Sequence, residues 1–565
     1  MPTGRKPIAD RREDLVARGP RWHPRTIHEV LDDAALAFPD RPLVLADDRV
    51  RTYADVVRHS LRIAAGLIAM GVRPGEKVAL VMGNFPDYVA LKYAISRIGA
   101  VAVPVNVLLK ADELAYVLRQ SDSVALITMD SFRGVDHLAI LDAACPGWAD
   151  DGGSALPALR HVVVFETGEK EPRKGCRTFR SLDAAPVAMP PVAADAICDI
   201  LFTSGTTGPP KGVQLTHDML MRTAYGSAYA RAFEDGRRII FSLPLYHVFG
   251  YVEGMLAVPF VGGAIIPRLK FDPIDTLQGI ERHRASDALL IPAMSLALIE
   301  TVEPEQFDLS SLHYALASGG KAPPRLWSLL RERLGVTEIT TGYGMTETTA
   351  STTVTQPDDP DQRLLTTNGR LREVGPAADP ALDGILVDYR VVDLVSGAEL
   401  PPGEMGELQA RGIGVTKGYY RKPLETAQAF TSDGWLRTGD LGSIDADRYI
   451  TLLGRTKESY RCGGEQVLPS EVEDVIAEFA GVHMVHVAPL PDERMGEVGV
   501  AFVVRAAGSA LSEDAIIEQA RARLARFKVP RHVIFITESE IPATASGRAK
   551  KFELTGMAQE RLGPR

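Results

Sequence analysis

Alternation between helical and strand-like patterns near the start of the chain constrains its fold most. Apolar residues recur at helical spacing over 53–70, and Gly71 stands where helices commonly end on a glycine. Short apolar runs at 77–82 and 100–105 flank a second helical stretch at 88–98. Such runs are typical of buried parallel strands. Strand, helix and strand at this spacing predict a βαβ unit, and therefore an α/β fold with mostly parallel sheets.

The pattern of residues along the chain changes twice in its second half. From about Asp393, glycines and prolines punctuate short β-rich stretches, which predicts a smaller β-rich subdomain. Beyond Arg455 the pattern predicts a separate α+β lobe of about 100 residues. Its predicted elements are a helix at 470–479, strands at 484–490 and 498–504, a helix at 514–525 and a strand at 532–536.

Composition excludes several classes of protein. With 565 residues, 45% hydrophobic and 24% charged, the chain is an ordinary globular sequence of more than one domain. Its net charge of −10 offers no basic field for nucleic acid. Four scattered cysteines argue against a disulfide framework. No segment suits a membrane span or a secretory signal, so we expect a cytoplasmic protein.

One stretch carries most of the chemical information: TSGTTGPPKG at 203–212. Glycines let backbone N–H groups converge on phosphate oxygens, hydroxyls add donors, and Lys211 supplies positive charge. It is not a Walker loop, because Pro210 precedes the lysine. It is not a nucleophile elbow, because Phe202 replaces the first glycine of G-x-S-x-G. The stretch therefore predicts a phosphate-binding loop of another type.

Further motifs follow this loop along the chain. They are PLYHVFG at 244–250, SGGKAP at 318–323, GYGMTET at 342–348, GWLRTGD at 434–440, GRTK at 454–457, GGE at 463–465 and PATASGR at 542–548. With these motifs in this order, the chain resembles the adenylate-forming enzymes, which comprise acyl-CoA synthetases, carrier-loading adenylation domains and beetle luciferases. The resemblance covers nearly the whole chain.

The resemblance implies a role for each matching residue. Glu347 would hold Mg²⁺ with the hydroxyl of Thr203, since this cation prefers oxygen ligands. Asp440 would accept both ribose hydroxyls of ATP, assisted by Arg455. His247 is either a packed residue or part of the acyl pocket. The remaining nucleotide-binding positions implied are Thr203, Ser204, Gly205, Thr206, Thr207, Gly208, Gly320, Gly342, Tyr343 (stacked on adenine), Gly344, Met345 and Thr346, with Lys211 beside the phosphates.

The resemblance also implies a reaction in two halves. A carboxylate attacks ATP to give acyl-AMP, and the thiol of coenzyme A then attacks this anhydride. A large N-terminal domain at 1–454 would bind nucleotide and acid, and a small mobile C-terminal domain at 455–565 would rotate about a hinge near Lys457. The segment at Gly463 and Gly464 would then line the path of coenzyme A.

One residue departs from the family pattern. The P-x-T-x-S-G motif normally ends in lysine, and here it ends in Arg548, which would serve the first half-reaction. Arginine is a wider planar cation than the compact lysine ammonium. Either the change is tolerated and the chain is a complete acyl-CoA synthetase, or adenylation is weak and a separate adenylating enzyme supplies acyl-AMP. The second hypothesis resembles the divided acyl-CoA ligases of diterpenoid-antibiotic pathways.

The substrate is predicted only by class. The run at 244–254 suggests an apolar pocket, suited to a fatty, aryl or polycyclic acid. Amino acids are disfavoured, because 246–250 carries no carboxylate to pair with an ammonium group. We expect coenzyme A as acceptor, since the chain ends at Arg565 without a carrier domain, and a carrier acting in trans stays open. A regulatory protein without catalysis is expected to carry substitutions in the phosphate loop or at Glu347, but this sequence keeps the family residues at both.

Overall fold

The computed structural model describes residues 5–151, 155–169, 173–203, 209–300, 303, 306–319, 325–456, 458–463, 465–543 and 549–563. The chain forms two compact units. The larger comprises the described residues of Met1–Gly205, Pro209–Asp388 and Ala410–Leu436, and the smaller those of Tyr389–Gln409 and Arg437–Arg565. The boundary at 454/455, between a large N-terminal domain and a mobile C-terminal domain, stays a prediction.

Two sheets organise the larger unit. The strands up to residue 371 are β1 Pro42–Leu45, β2 Val50–Thr52, β3 Lys77–Val81, β4 Val101–Pro104, β5 Ser123–Met129, β6 Ser131–Phe132, β7 Val135–Asp136, β8 His161–Phe165, β9 Ile197–Thr203, β10 Lys211–Thr216, β11 Arg238–Phe241, β12 Ala264–Pro267, β13 Asp287–Leu290, β14 Tyr314–Ala317, β15 Glu338–Thr340, β16 Gly344–Met345, β17 Ala350–Ser351, β18 Thr353–Val354 and β19 Arg370–Leu371.

Both large sheets are parallel except at one edge. The first has the order β15-β14-β13-β11-β12-β1-β2, and only its β1–β2 pair is antiparallel. The second has the order β10-β9-β4-β3-β5-β8, and only its β10–β9 pair is antiparallel. The βαβ unit predicted from the first hundred residues forms the middle of this second sheet, as β3 and β4.

Helices follow the strands through most of the chain. They are α1 Ile8–Arg18, α2 Ile27–Ala37, α3 Tyr53–Ala69, α4 Pro86–Arg97, α5 Ala111–Ser121, α6 His137–Ala144, α7 Trp148–Asp151, α8 His217–Ala230, α9 Pro273–His283, α10 Pro292–Glu300, α11 Leu326–Leu334, α12 Asp361–Thr366, α13 Pro423–Ala429, α14 Pro469–Ala477, α15 Glu513–Arg523 and α16 Lys551–Leu562. In the part of the chain described, no helix is long and apolar enough to cross a membrane.

Local sequence explains where several helices begin and end. Thr52 caps α3, and Asp55 bonds back to its backbone, which completes a capping box. The helix ends before Gly71, whose φ of 87° favours glycine. Thr26 caps α2 in the same way. These signals explain why the sequence predicts the ends of α3 to within one residue.

The smaller unit contains a β-rich part and the C-terminal lobe. The later strands are β20 Asp388–Val392, β21 Gly406–Arg411, β22 Leu436–Ile444, β23 Ile450–Arg455, β24 Tyr460–Cys462, β25 Glu465–Val467, β26 Val482–Asp492, β27 Gly496–Arg505 and β28 His532–Phe535. The order β20-β21-β22-β23 forms one sheet, and β25-β24-β27-β26 with β28 beside β27 forms another. All five elements predicted for the lobe are present, and α16 is an additional helix that the sequence analysis missed.

Candidate functional site

The predicted phosphate loop joins two antiparallel strands. Thr203 is the last residue of β9 and Lys211 the first of β10, and the two are directly paired. The Thr203 hydroxyl lies 3.5 Å from the Lys211 carbonyl oxygen, to which it donates. The next helix, α8, begins only after β10 ends. Strands β9 and β10 therefore form an antiparallel pair that holds Thr203 and Lys211, the two described ends of the predicted phosphate loop, opposite each other.

Glu347 and Lys211 share a partner, Tyr419. The Tyr419 hydroxyl donates to Glu347 Oε1 over 3.0 Å, and the Lys211 ammonium lies 4.2 Å from the centre of the tyrosine ring. Burial and the neighbouring Glu347 carboxylate both raise the pKa of Tyr419, so its proton stays available for donation. The result is a row of cation, aromatic ring and carboxylate with Glu347 only 6% exposed.

A strained hairpin presents Glu347. Strands β16 and β17 pair Gly344 with Ser351, and a 3₁₀ turn at Thr346–Thr348 joins them. A Cβ on Gly344 would overlap the carbonyl oxygen of Ala350, so only glycine allows this approach. Thr349 and Ala350 have φ values of 64° and 102°, in the left-handed region. Strained backbone of this kind concentrates at functional sites.

The other predicted residues of this motif lie in or beside the hairpin. The Tyr343 side chain is 8% exposed, and its carbonyl accepts from the amides of Thr352 and Thr353. A Cβ on Gly342 would overlap the Thr353 carbonyl. Met345 pairs with Ala350, and Thr346 opens the turn.

His247 lies just before a π-helix at Phe249–Met255, and its carbonyl accepts from the Tyr251 amide over 3.1 Å. Burial lowers the pKa of His247, so the imidazole is neutral at neutral pH. The apolar pocket expected from 244–254 stays a prediction. Glu253 is the charged residue of this helix, and it is fully buried. Arg372 pairs with Glu253 over 3.0 Å.

In the smaller unit, a hairpin joins the predicted ribose-binding residues. Asp440 on β22 is directly opposite Arg455 on β23, and Arg455 Nε donates to Asp440 Oδ1 over 3.0 Å. The Asp440 side chain is 7% exposed and that of Arg455 27%. A carboxylate has two acceptor oxygens, so it can bind more than one donor. Gly463 follows β24, with φ of 62°.

Nine predicted site residues lie outside the described residues. They are Ser204, Gly205, Thr206, Thr207, Gly208, Gly320, Lys457, Gly464 and Arg548. Their roles stay predictions.

Sequence reasoning missed Tyr419 and the Glu253–Arg372 pair. Tyr419 is 72 residues from Glu347, and Arg372 is 119 residues from Glu253. The only local signal at Tyr419 is its place in KGYY at 417–420, which suggests a turn or strand and carries no chemistry by itself.

The donor set suits Mg²⁺ held mainly by a substrate. Among the described residues, no three His, Cys, Asp or Glu side chains converge as a metal-binding group. Glu347 is one buried carboxylate that shares the partner Tyr419 with Lys211, and Mg²⁺ is commonly bound by one or two carboxylates together with substrate phosphates. The residues present therefore fit a Mg²⁺–nucleotide complex.

Two family models match the chain. The AMP-binding enzyme model matches residues 31–420, and the AMP-binding enzyme C-terminal domain model matches 471–548.

Curated relatives match over nearly their full length. The chain is 35% identical to a methyl-dioxo-octahydro-indenyl-propanoyl:CoA ligase of Mycobacterium tuberculosis, over 94% of this chain and 98% of the relative. It is 33% identical to a feruloyl-CoA synthase of Amycolatopsis sp, over 89% and 93%.

Solved structures agree with these relatives. The anthranilate CoA ligase AuaEII, in complex with anthranoyl-AMP, matches with a TM-score of 0.83 at 25% identity, over 97% of this chain and all (100%) of that one. ATP-bound MatB from Rhodopseudomonas palustris matches with a TM-score of 0.81 at 26% identity, over 95% and 100%. The chain therefore belongs to the AMP-binding enzyme family, as an AMP-forming acid–thiol ligase of the acyl-CoA synthetase type.

Proposed function

We propose that this ligase forms the coenzyme A thioester of an apolar carboxylic acid through acyl-AMP, and that thioesterification is its stronger half-reaction. The observation that carries the proposal of nucleotide chemistry is the Lys211–Tyr419–Glu347 row beside the β9–β10 hairpin. It brings a cation and a carboxylate to one end of a loop rich in hydroxyls and glycines. Bound phosphates need this combination of donors and charge.

The proposal assigns a role to each of the main site residues that the structure describes. Lys211 would neutralise phosphate charge, and Glu347 with Thr203 would hold Mg²⁺. When bound, this ion would spread the negative charge of the phosphates. Tyr419 keeps Glu347 oriented through its hydroxyl. Asp440, oriented by Arg455, would accept the ribose hydroxyls.

The proposal of an apolar acid is supported by the residues around His247 and by the relatives. Tyr246 and Val248, on either side of it, are apolar and buried. The M. tuberculosis relative is named for a bicyclic propanoyl group and the Amycolatopsis relative for feruloyl, and both names denote largely hydrocarbon acids. A neutral His247 would suit such a site, because burying a cation beside a hydrocarbon acid is costly.

The proposal that thioesterification is the stronger half-reaction depends on Arg548, which stands where the family motif ends in lysine. A cation between the attacking carboxylate and the α-phosphate acts only in adenylation. The wider guanidinium would keep the charge and alter its position. Misplacing one such transition-state contact typically costs about 10²–10³ in rate. A separate adenylating enzyme would then supply acyl-AMP.

The test separates the two half-reactions with a panel of fatty, aryl and polycyclic acids. One arm supplies acid, ATP, Mg²⁺ and coenzyme A, and the other supplies preformed acyl-AMP and coenzyme A. We expect thioester mainly from the second arm, with Arg548→Lys raising the first arm by about 10²-fold or more. Equal thioester in both arms from the unmodified protein would instead make it a complete acyl-CoA synthetase.

Two controls fix the interpretation. Glu347→Gln should abolish the first arm and leave the second largely intact, because acyl-AMP carries no pyrophosphate for Mg²⁺ to neutralise. Asp440→Asn should weaken both arms, because ATP and acyl-AMP share the ribose. Thioester formed with a carrier protein's phosphopantetheine but not with coenzyme A would contradict the proposed acceptor.

A further inference from the structure

Glu253 is a fully buried carboxylate whose partners lie in separate parts of the larger unit. Its Oε1 accepts from Arg372 Nη1 over 3.0 Å and from the Ser351 amide over 3.2 Å. The Glu253 and Arg372 side chains are 1% and 3% exposed. Burial by itself would raise the pKa of Glu253, but Arg372, together with Arg231 and hydrogen bonds that include the Ser351 amide, holds that pKa below its ordinary value. The carboxylate is therefore ionised and can tether its partners.

The Ser351 amide belongs to the hairpin that carries Glu347. Ser351 follows Thr349 and Ala350, whose left-handed backbone conformation is strained for residues other than glycine. Such a conformation persists only where the surroundings hold it. Glu253 holds the hairpin at Ser351, and the Thr349 hydroxyl donates to the Gly414 carbonyl over 2.8 Å. The turn that presents Glu347 is thus anchored directly after its strained residues.

Arg372 extends the same anchor. Its Nη2 donates to the Thr223 carbonyl on α8 over 3.2 Å, and its backbone amide donates to the Thr352 carbonyl over 2.9 Å. Thr352 is the residue after Ser351. The arginine therefore neutralises Glu253 and also holds the chain that leaves the hairpin.

We propose that Glu253, neutralised by Arg372, is a positioning residue that ties the helix after His247 to the Glu347 hairpin and so keeps the Glu347 carboxylate in place for Mg²⁺. The inference rests on the proposed function, because the metal role of Glu347 belongs to it. Buried ion pairs contribute little to stability compared with apolar residues of similar volume, and this pair would be retained for geometry.

Two double variants separate the effect of the hydrogen bond between the Ser351 amide and residue 253 from effects of charge and stability. Glu253→Leu with Arg372→Met replaces the pair by apolar groups and leaves the Ser351 amide without its acceptor. Glu253→Gln with Arg372→Met is equally uncharged and keeps a side-chain oxygen for that amide. The probe is α,β-methylene-ATP, titrated at several concentrations of MgCl₂, so the readout is binding and needs no turnover.

In the Leu/Met protein we expect at least a tenfold rise in the Mg²⁺ concentration that half-saturates analogue binding, as typically follows loss of a group that orients a metal ligand. In the Gln/Met protein we expect a change of less than threefold. Asp32→Asn, which breaks the pair with the buried Arg97, is the control for a general loss of stability in the same unit and should leave the Mg²⁺ dependence unchanged.

The outcomes separate the two proposals. If analogue binding by the unmodified protein does not respond to Mg²⁺, or Glu347→Gln leaves the response intact, the metal role in the proposed function fails. If the response depends on Glu347 but both double variants match the unmodified protein, the positioning role of Glu253 is overturned. Should the Leu/Met protein not fold, hydrogen exchange at the Ser351 amide of the unmodified protein decides: slow exchange supports the tether, and exchange as fast as at an exposed amide overturns it.

Discussion

The larger unit and the C-terminal lobe of the smaller unit differ in how they handle buried charge. The larger unit buries ion pairs between its elements: Lys92–Asp199, Arg231–Asp287 and Glu253–Arg372 each have both side chains at 3% exposure or less. Among the described residues after 456, the smaller unit buries no charged side chain. Its ion pair Lys551–Glu473 stays 13% and 16% exposed.

This difference indicates that the buried ion pairs of the larger unit fix the positions of its elements more than they stabilise it. The C-terminal lobe has an apolar core, including Val500, Phe502 and Leu554, and the burial of these side chains favours its folding. Two of the buried pairs in the larger unit lie on elements of the candidate site. Asp199 is on β9, which ends at Thr203, and Glu253 is on the helix after His247. We infer that these pairs are kept for position, since apolar residues would stabilise the core at least as well.

The largest expected effect comes from breaking the Lys92–Asp199 pair. Asp199→Ala leaves the Lys92 ammonium buried and uncompensated and removes the acceptor of the Tyr251 hydroxyl. We expect a loss of about 3–5 kcal/mol in the free energy of unfolding, measured by chemical denaturation. Lys92→Met with Asp199→Leu is the matched control and should lie near the unmodified protein. A loss below about 1 kcal/mol for the single variant would contradict the contrast between the units.

Tyr419→Phe should have the next largest effect. It removes the hydroxyl that donates to Glu347 and keeps the ring beside Lys211. We expect the Mg²⁺ concentration that half-saturates binding of the ATP analogue to rise about tenfold, since Glu347 loses its orienting partner. The neighbouring Tyr420→Phe, which removes a hydroxyl that donates to Asp122, is the control and should leave it unchanged. Equal behaviour of the two variants would show that Tyr419 does not orient Glu347.

Acid should destabilise the larger unit through the partly buried His28 and the buried His217. Burial, with nearby Arg97, lowers the pKa of His28 to about 4, and burial, with His28, lowers that of His217 to about 3, from an ordinary 6.5. Below pH 6.5 the unfolded chain therefore binds more protons than the folded one. Stability should fall as the pH drops from about 6.5 towards 4, by about 1.4 kcal/mol per pH unit for each histidine.

The measurement is the free energy of unfolding between pH 7 and pH 5. His28→Gln should reduce the slope of unfolding free energy against pH by about 1.4 kcal/mol per pH unit. His483→Gln, at an exposed position of the smaller unit, should not change this slope. If both variants keep the slope of the unmodified protein, His28 does not account for the acid sensitivity.

The smallest effect is expected at the surface of the smaller unit. Arg523 pairs with Glu478, but the two side chains are 46% and 63% exposed. Arg523→Gln should change the free energy of unfolding by less than about 1 kcal/mol, measured by chemical denaturation. The same pattern applies to the basic residues around it, of which Arg521 and Lys528 also pair with acids at the surface. A loss of several kcal/mol would mean that the lobe depends on charge as the larger unit does.

Most of the fold was predictable because its signals are local. Capping residues, glycines after helices and runs of apolar residues lie within a few positions of the element that they define, as at Thr52 and Gly71. The helix α16 was missed because only Leu554 and Ala558 in it are fully buried, which leaves a weak apolar stripe. The hairpin at the phosphate loop was also not predicted, since β10 is a short strand with no turn signal after it.

The sequence by itself determined the family and the order of most elements, and it predicted the reactive groups, because spacing within a motif is a property of neighbouring residues. Only the tertiary structure decided which side chains orient those groups. Tyr419 reaches Glu347, and Arg372 reaches Glu253, across 72 and 119 residues of chain. Contacts at such separations exist only once the surrounding sheets have closed, since nothing local in the chain can specify them.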